Sequence, residues 1–181
     1  MEALVHLKEQ GKIRAAGVCN FSAEQLREAE KTVRIEADQV PYSMVRRDIE
    51  NDVTPYVLEN NKGIIAYSPM QRGLLTGKFR PDTKLNEGDN RKDSRFFQPE
   101  NIRRVNEFLA KIKPIADGHN ATLAQLALSW TLHQPGVIVA LAGSRDPKQI
   151  EDNANAADLK LKDEEIKTIN KYLDELELEE A

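Results

Sequence analysis

A single cysteine among 181 residues has nothing to pair with. Internal disulfides are therefore excluded, and a reducing cytoplasm is the expected location. That residue, Cys19, has no evident histidine partner, so a thiol nucleophile is not expected. Histidine is scarce too: His6, His119 and His133 lie far apart and without metal-ligand spacing, which argues against a metal centre and leaves surface or capping roles. No apolar run approaches the roughly 18 residues of a membrane span. The N-terminus has no signal-like hydrophobic block, so no membrane partner is expected. Basic excess is missing as well: 26 basic against 30 acidic residues leave a net charge of −4, which argues against nucleic acid as a partner. G-x-G-x-x-G and G-x-S-x-G are absent, and no Ser/His/Asp arrangement stands out, which removes the common dinucleotide turn and the serine-hydrolase elbow.

What is present is a globular composition, 40% hydrophobic and 31% charged, in a chain long enough for one sizeable domain and short for two. Residues 1–181 are expected to form that single domain. Four strand-like runs stand out, Ile13 to Val18, Ile35 to Val40, Gly63 to Tyr67 and Val137 to Leu141. Helical patterns alternate with them over Glu2 to Gln10, Ala23 to Thr32, Arg47 to Asn60, Asn101 to Gly118, Thr122 to His133, Pro147 to Ala154 and Asp163 to Leu176. This alternation predicts an α/β fold with a parallel sheet and crossover helices. Ser22 with Gln25 reads as a capping box, and Asp146-Pro147 as an N-cap followed by a first-turn proline. The acidic tail Asp174 to Glu180 reads as a solvated, frayed end. The first helix begins at Met1 with no capping residue before it, as a chain cut inside a longer one would. Residues 68 to 98, with Pro69, Gly73, Gly77, Pro81 and Gly88, break the alternation and form a long connection of the kind that is usually functional or disordered.

The strand ends carry the chemistry. Parallel barrels present ligand groups where their strands finish, and here Cys19-Asn20, Gln39, Tyr67-Ser68 and Gly143-Ser144-Arg145 fall at the ends of the four runs. Each alone is a common turn residue; four together point to one ligand face. Gly143 lets a backbone approach a ligand closely, and Ser144, Arg145 and the first amides of the next helix form an anion site suited to a phosphate monoester. Gln149 and Asn153 are four apart on one helix face, within reach of an adenine. The competing reading is a capped helix with a solvated arginine. Gln71 to Phe79 fails as a phosphate loop, because its glycines are too close together and Phe79 stands where a hydroxyl should bind magnesium. A strap laid over a pyrophosphate, with Lys78 nearby, and a plain surface loop both remain open. Tyr67 by itself reads more readily as a core aromatic with a wet hydroxyl than as a stacking platform.

Taken together, Gly11-Lys12-Ile13-Arg14 leading to Gly17-Val18-Cys19-Asn20-Phe21, Gln39 with Tyr42, Ala66-Tyr67-Ser68-Pro69-Met70 with Gly73-Leu74-Leu75-Thr76-Gly77-Lys78, and Ala142-Gly143-Ser144-Arg145 through Gln149, Asp152 and Asn153 resemble the aldo-keto reductases. Within that family the likeness is specifically to bacterial-type members related to general-stress and inositol-locus oxidoreductases. The resemblance runs from Met1 to about Leu173. It implies a (β/α)8 TIM barrel of which this chain supplies about strands five to eight with their helices, a half-barrel holding extended NADP(H) without a Rossmann motif. Carried over, Cys19, Asn20 and Gln39 would meet the nicotinamide carboxamide, with Cys19 in place of the usual Ser and so a weaker hydrogen-bond partner. Tyr67 would stack on the ring. Ser68, Pro69, Met70, Gly73, Leu74, Gly77 and Lys78 would line or strap the pyrophosphate. Ser144 and Arg145 would hold the 2′-phosphate beside the cofactor-binding Gly143, while Gln149, Asp152 and Asn153 would face the adenosine.

The family's catalytic Asp, Tyr, Lys and His belong to its first four strands, and Tyr42, Tyr56, Tyr67 and Tyr172 do not match the proton-donating tyrosine. No catalytic residue carries over. The resemblance thus implies NADP(H)-dependent reduction of a small-molecule aldehyde or ketone by the full-length form, and no turnover by this chain. The other reading is a non-catalytic half-barrel that binds nucleotide or a protein partner. Its free sheet edges predict self-association or pairing with the missing half.

Overall fold

The computed structural model describes residues 1–180. Its internal contacts form two compact units, one of Met1–Pro69 with Thr131–Leu141, the other of Met70–Trp130 with the residues from Ala142 on.

In the first unit the elements are α1 (Glu2–Glu9), β1 (Gly17–Cys19), α2 (Ala23–Glu30), β2 (Ala37–Pro41), α3 (Val53–Glu59), β3 (Gly63–Tyr67) and β4 (Val137–Leu141). All four strands are parallel and lie in the order β1-β2-β3-β4, as alternation with crossover helices requires. The register sets Cys19 beside Gln39, Gln39 beside Ile65, and Pro41 beside Tyr67. Leu26, Ile35, Val57 and Ile64 are fully buried under the helices. The capping box at Ser22 is present: the Ser22 hydroxyl accepts from Gln25 N, and Gln25 Oε1 accepts from Ser22 N at 2.8 Å.

Several boundaries differ from the sequence reading, three of them with a clear structural reason. The first two strands start later than the hydrophobic runs, because residues 13 to 16 and Ile35-Glu36 approach the sheet before the ladder begins. The stretch Arg47 to Asn60 is not one helix. A 3-10 turn over Asp48–Asn51 stops at Asp52, whose φ of −132° and ψ of −70° lie outside the helical region, and α3 starts afresh.

The second unit holds 3-10 turns at Gln71–Thr76 and Arg95–Phe97, then α4 (Pro99–Gly118), α5 (Leu123–Leu132, its last two residues in the first unit), α6 (Pro147–Ala154) and α7 (Asp163–Asp174). Val105, Ile112, Leu126 and Ile169 pack its interior, and buried Trp130 donates its indole N–H to Asn170 Oδ1 at 2.8 Å. The acidic tail is not frayed up to Glu180. Buried Asn101 donates to Glu179 O at 3.0 Å and accepts from Glu179 N at 2.8 Å, and Arg104 donates to Glu177 O and pairs with Glu179. Arg95 and Arg104 offset the run of negative charge, while Asn101 satisfies the tail backbone.

Candidate cofactor-binding site

In the first unit, the strand ends assemble four of the expected residues into one hydrogen-bonded chain. Tyr67 Oη donates to Asn20 Oδ1 at 3.1 Å, Asn20 Nδ2 reaches Cys19 Sγ at 3.3 Å, and Cys19 Sγ reaches Gln39 Oε1 at 3.6 Å. Asn20 leaves β1 with φ of 59°, a left-handed conformation that asparagine tolerates better than most residues, and its N–H donates to Gln39 O at 2.9 Å. That turn aims the Asn20 amide back along the sheet toward Tyr67. Asn20 and Cys19 are exposed, Gln39 and Tyr67 partly so, and the Asn20 and Gln39 amides each carry a donor and an acceptor, the complement of a carboxamide. Ser68 also adopts a positive φ, 54°, as the chain turns out of β3, and Pro69 behind it is buried.

The other two tyrosines of this unit are occupied. Tyr42 Oη donates to Glu50 Oε1 at 2.6 Å, and burial with that carboxylate drives its hydroxyl far above the ordinary tyrosine value. Tyr56 Oη donates to Glu30 Oε2 at 2.5 Å; desolvation and the Glu30 carboxylate push it up to about 12. Neither is placed to give up a proton near neutral pH.

In the second unit, the segment after Met70 is an ordered strap. Gln71 and Arg72 stand at φ of 45° and 55°, Gly73 at 95°, and Gly77 ends the turn left-handed at 71°. A Cβ on Gly77 would lie 3.1 Å from Leu123 Cδ1, so this position takes glycine for both space and conformation. Two consecutive non-glycine residues at positive φ persist only where neighbours hold them. Asn90 takes the Arg72 guanidinium, Arg91 donates to Arg72 O at 3.3 Å, and Arg91 is itself clamped to Asp89 at 2.5 Å. The Arg91 guanidinium bonds hold the Asp89 carboxyl down at about 2. Arg91 also lies 5.2 Å and 5.7 Å from the ring centres of Phe79 and Phe97, which meet edge to face at 5.1 Å. The charge cluster at Asp89 to Arg95 thus braces the strap. Lys78 is exposed; Leu74 is fully buried, so only its backbone could face a ligand.

The turn before α6 is braced in the same way. Asp146 Oδ1 caps Gln149 N at 3.0 Å, Gln149 Oε1 accepts from Arg145 N at 3.0 Å, and Asn153 Nδ2 donates to Ser144 Oγ at 2.9 Å. Gln149 and Asn153, expected to face an adenine, here reach back to hold Ser144 and Arg145. The Arg145 side chain is exposed, and a Cβ on Gly143 would meet nothing within 4 Å, so the turn stands open to a ligand. Asp152 is exposed, and its carbonyl accepts from Gln125 Nε2 at 2.8 Å. These observations fit a phosphate on the turn and a carboxamide on the first-unit strand ends. Among the described residues no group of His, Cys, Asp and Glu could hold a metal ion, and no helix is long and apolar enough to cross a membrane.

One residue escaped the sequence reading. Asp38 lies inside β2 and is 1% exposed, and its Oδ1 faces the Phe21 N–H at 3.5 Å. The available signal was an acid within a strand-forming run, where acids are disfavoured.

The model of the aldo/keto reductase family matches residues 1–174. The chain is 36% identical over 181 residues to an aldo-keto reductase of Schizosaccharomyces pombe whose name specifies NADP(+), covering 98% of this chain and 53% of that protein. It is 33% identical over 174 residues to the NADH-specific methylglyoxal reductase of Escherichia coli, covering 96% and 53%. The solved glycerol dehydrogenase of Gluconobacter oxydans superimposes with a TM-score of 0.90 at 32% identity, covering 97% of this chain and 53% of that one. The chain therefore spans about half the length of the relatives it matches, and its four parallel strands with their helices are half of a (β/α)8 barrel. Matched over nearly all of its length by the family's model and by relatives sharing about a third of its residues, this chain belongs to the aldo/keto reductase family.

Proposed function

We propose that this chain carries the NADP(H)-binding groups of a reductase of small-molecule aldehydes or ketones, and that it does not turn over alone. The observation that carries the reading is the preformed chain Tyr67–Asn20–Cys19–Gln39 across three strand ends. When bound, the cofactor supplies a hydride to a carbonyl carbon. Asn20 and Gln39, with Cys19 between them, hold and orient the carboxamide, and the Tyr67 ring gives the nicotinamide a face to stack on. Met70, Gly73, Gly77 and Lys78, with the Leu74 backbone, strap the pyrophosphate, Ser68 and Pro69 turning the chain into that strap. Gly143, Ser144 and Arg145 receive the 2′-phosphate, with Gln149 and Asn153 bracing their turn and Asp152 on the adenosine side. The preference for NADP(H) over NAD(H) rests on Arg145, a planar fork suited to a phosphate monoester. Tyr42 and Tyr56 are committed to carboxylates, which supports the absence of a general acid. A reducing cytoplasm is the proposed location, on the single cysteine.

Fluorescence titration of NADPH into the purified chain tests this. Saturable binding is expected, weakened roughly 10- to 100-fold for NADPH and little for NADH by Arg145→Ala. NADPH oxidation with an aldehyde at an enzymatic rate would remove the claim of inactivity, and absence of binding would remove the cofactor reading. A second reading, a half-barrel that pairs with another polypeptide, is favoured by the free edges of β1 and β4.

A further inference from the structure

We propose that Asp38 is a positioning residue: from the buried side of β2 it holds the Cys19–Asn20–Phe21 turn, and so fixes the direction of the Asn20 amide. Side chains alternate along β2, so Gln39 is half exposed beside Cys19 while Asp38 and Val40 are buried on the opposite face. Asp38 is thus one residue from the carboxamide cluster, yet behind it. Its Oδ1 faces Phe21 N at 3.5 Å, and Oδ2 is buried with no hydrogen-bond partner among the described residues. The same turn contains Asn20 at φ of 59°. A non-glycine residue in that region needs its surroundings to hold it, and the Asn20 N–H bond to Gln39 O supplies one restraint. The Asp38 carboxyl supplies the other, because its Oδ1 accepts from the Phe21 N–H that follows Asn20. Burial pushes the carboxyl up to about 6, against the lowering effect of the Phe21, Asn20 and Gln39 N–H groups. Among the described residues the one side-chain hydrogen bond of this buried acid is to the turn at Phe21.

The consequence for nicotinamide binding rests on the cofactor reading above; the hold on the turn does not. Amide hydrogen exchange and side-chain resonances on the isolated chain therefore test the turn directly, using Asp38→Ala and the conservative Asp38→Asn. In Asp38→Ala the Phe21 and Asn20 amides are expected to exchange about tenfold faster or more. The Asn20 side-chain NH2 resonances should lose their distinct positions beside Cys19 Sγ and Tyr67 Oη. Ile64, whose N–H is bonded to Gly136 O at 2.8 Å, should be unchanged. Asp38→Asn, which keeps an acceptor for Phe21, should restore much of the protection. Titration with nicotinamide mononucleotide should weaken three- to tenfold in Asp38→Ala, while adenosine 2′,5′-bisphosphate binds as before. Unchanged exchange at Phe21 and Asn20, or acceleration shared equally by Ile64, overturns the proposal. Nicotinamide mononucleotide failing to bind even the unmodified chain would count against the cofactor reading alone, since the exchange measurement still decides the role of Asp38.

Discussion

Burying a carboxyl without a counter-charge costs stability, and Asp38 makes that cost measurable. Its folded value of about 6 lies above the ordinary 3.8, so folding favours the protonated form. The stability contributed by protonation is present in full below pH 3.8 and is lost as the pH rises through 6. At neutral pH the chain therefore folds with a penalty of up to about 3 kcal/mol from this residue. Asp38→Asn is expected to be more stable than the natural chain at pH 7.5, and the two should converge at pH 4 in urea unfolding followed by circular dichroism. Equal midpoints at pH 7.5 would show that the carboxyl is not strained. A residue that costs stability while facing the turn proposed to hold a carboxamide is a recurring feature of functional sites.

At the scale of elements, a buried ion pair ties together α2, α3 and the approaches to β2 and β3. Lys62, its side chain 3% exposed, reaches Glu30 and donates to Ile35 O at 2.8 Å, while Tyr56 donates to the same carboxylate. Burial alone would raise the Glu30 carboxyl, but the Lys62 and Tyr56 side-chain bonds and the Ile35 N–H bring it below its ordinary value. The pair's contribution is therefore present above the unfolded carboxyl value and fades as the pH falls through the lower folded one. Lys62→Met leaves a half-buried carboxylate without its cation, and a loss of about 2–3 kcal/mol at pH 7 is expected. The gap to the natural chain should narrow below pH 4.5; a gap that does not depend on pH would assign the loss to packing. The periodicity of residues 47 to 60 showed a helical stretch, yet not its break at Asp52, because backbone geometry at one residue leaves no mark on a hydrophobic pattern.

For the whole molecule, the order β1-β2-β3-β4 leaves two free sheet edges. On the strand at one of them, β4, Ile138 is 60% exposed, Val139 39% and Leu141 40%. All strands run in one direction, so the β4 edge of one chain can meet the β1 edge of a second copy in parallel pairing. Light scattering at tens of micromolar is expected to report at least twice the monomer mass, and Ile138→Lys should shift the chain toward monomer. A stable monomer for the natural chain would remove this expectation.

Alternating hydrophobic runs, turn residues and capping signals were enough to determine the parallel α/β architecture and the segments that end its strands, because each signal acts within a few residues of itself. The likeness of those segments to one family, borne out by the match of its model, rests on local motifs for the same reason, and the proposed ligand groups are carried over from them. What only the tertiary structure decided is how distant residues meet. Tyr67 bonds to Asn20 across 47 positions, Asn101 holds the tail at Glu179 across 78, and Asp38 sits behind the turn at Phe21. Such contacts depend on strand register and burial, which emerge when the chain packs and are not written in any single stretch of it.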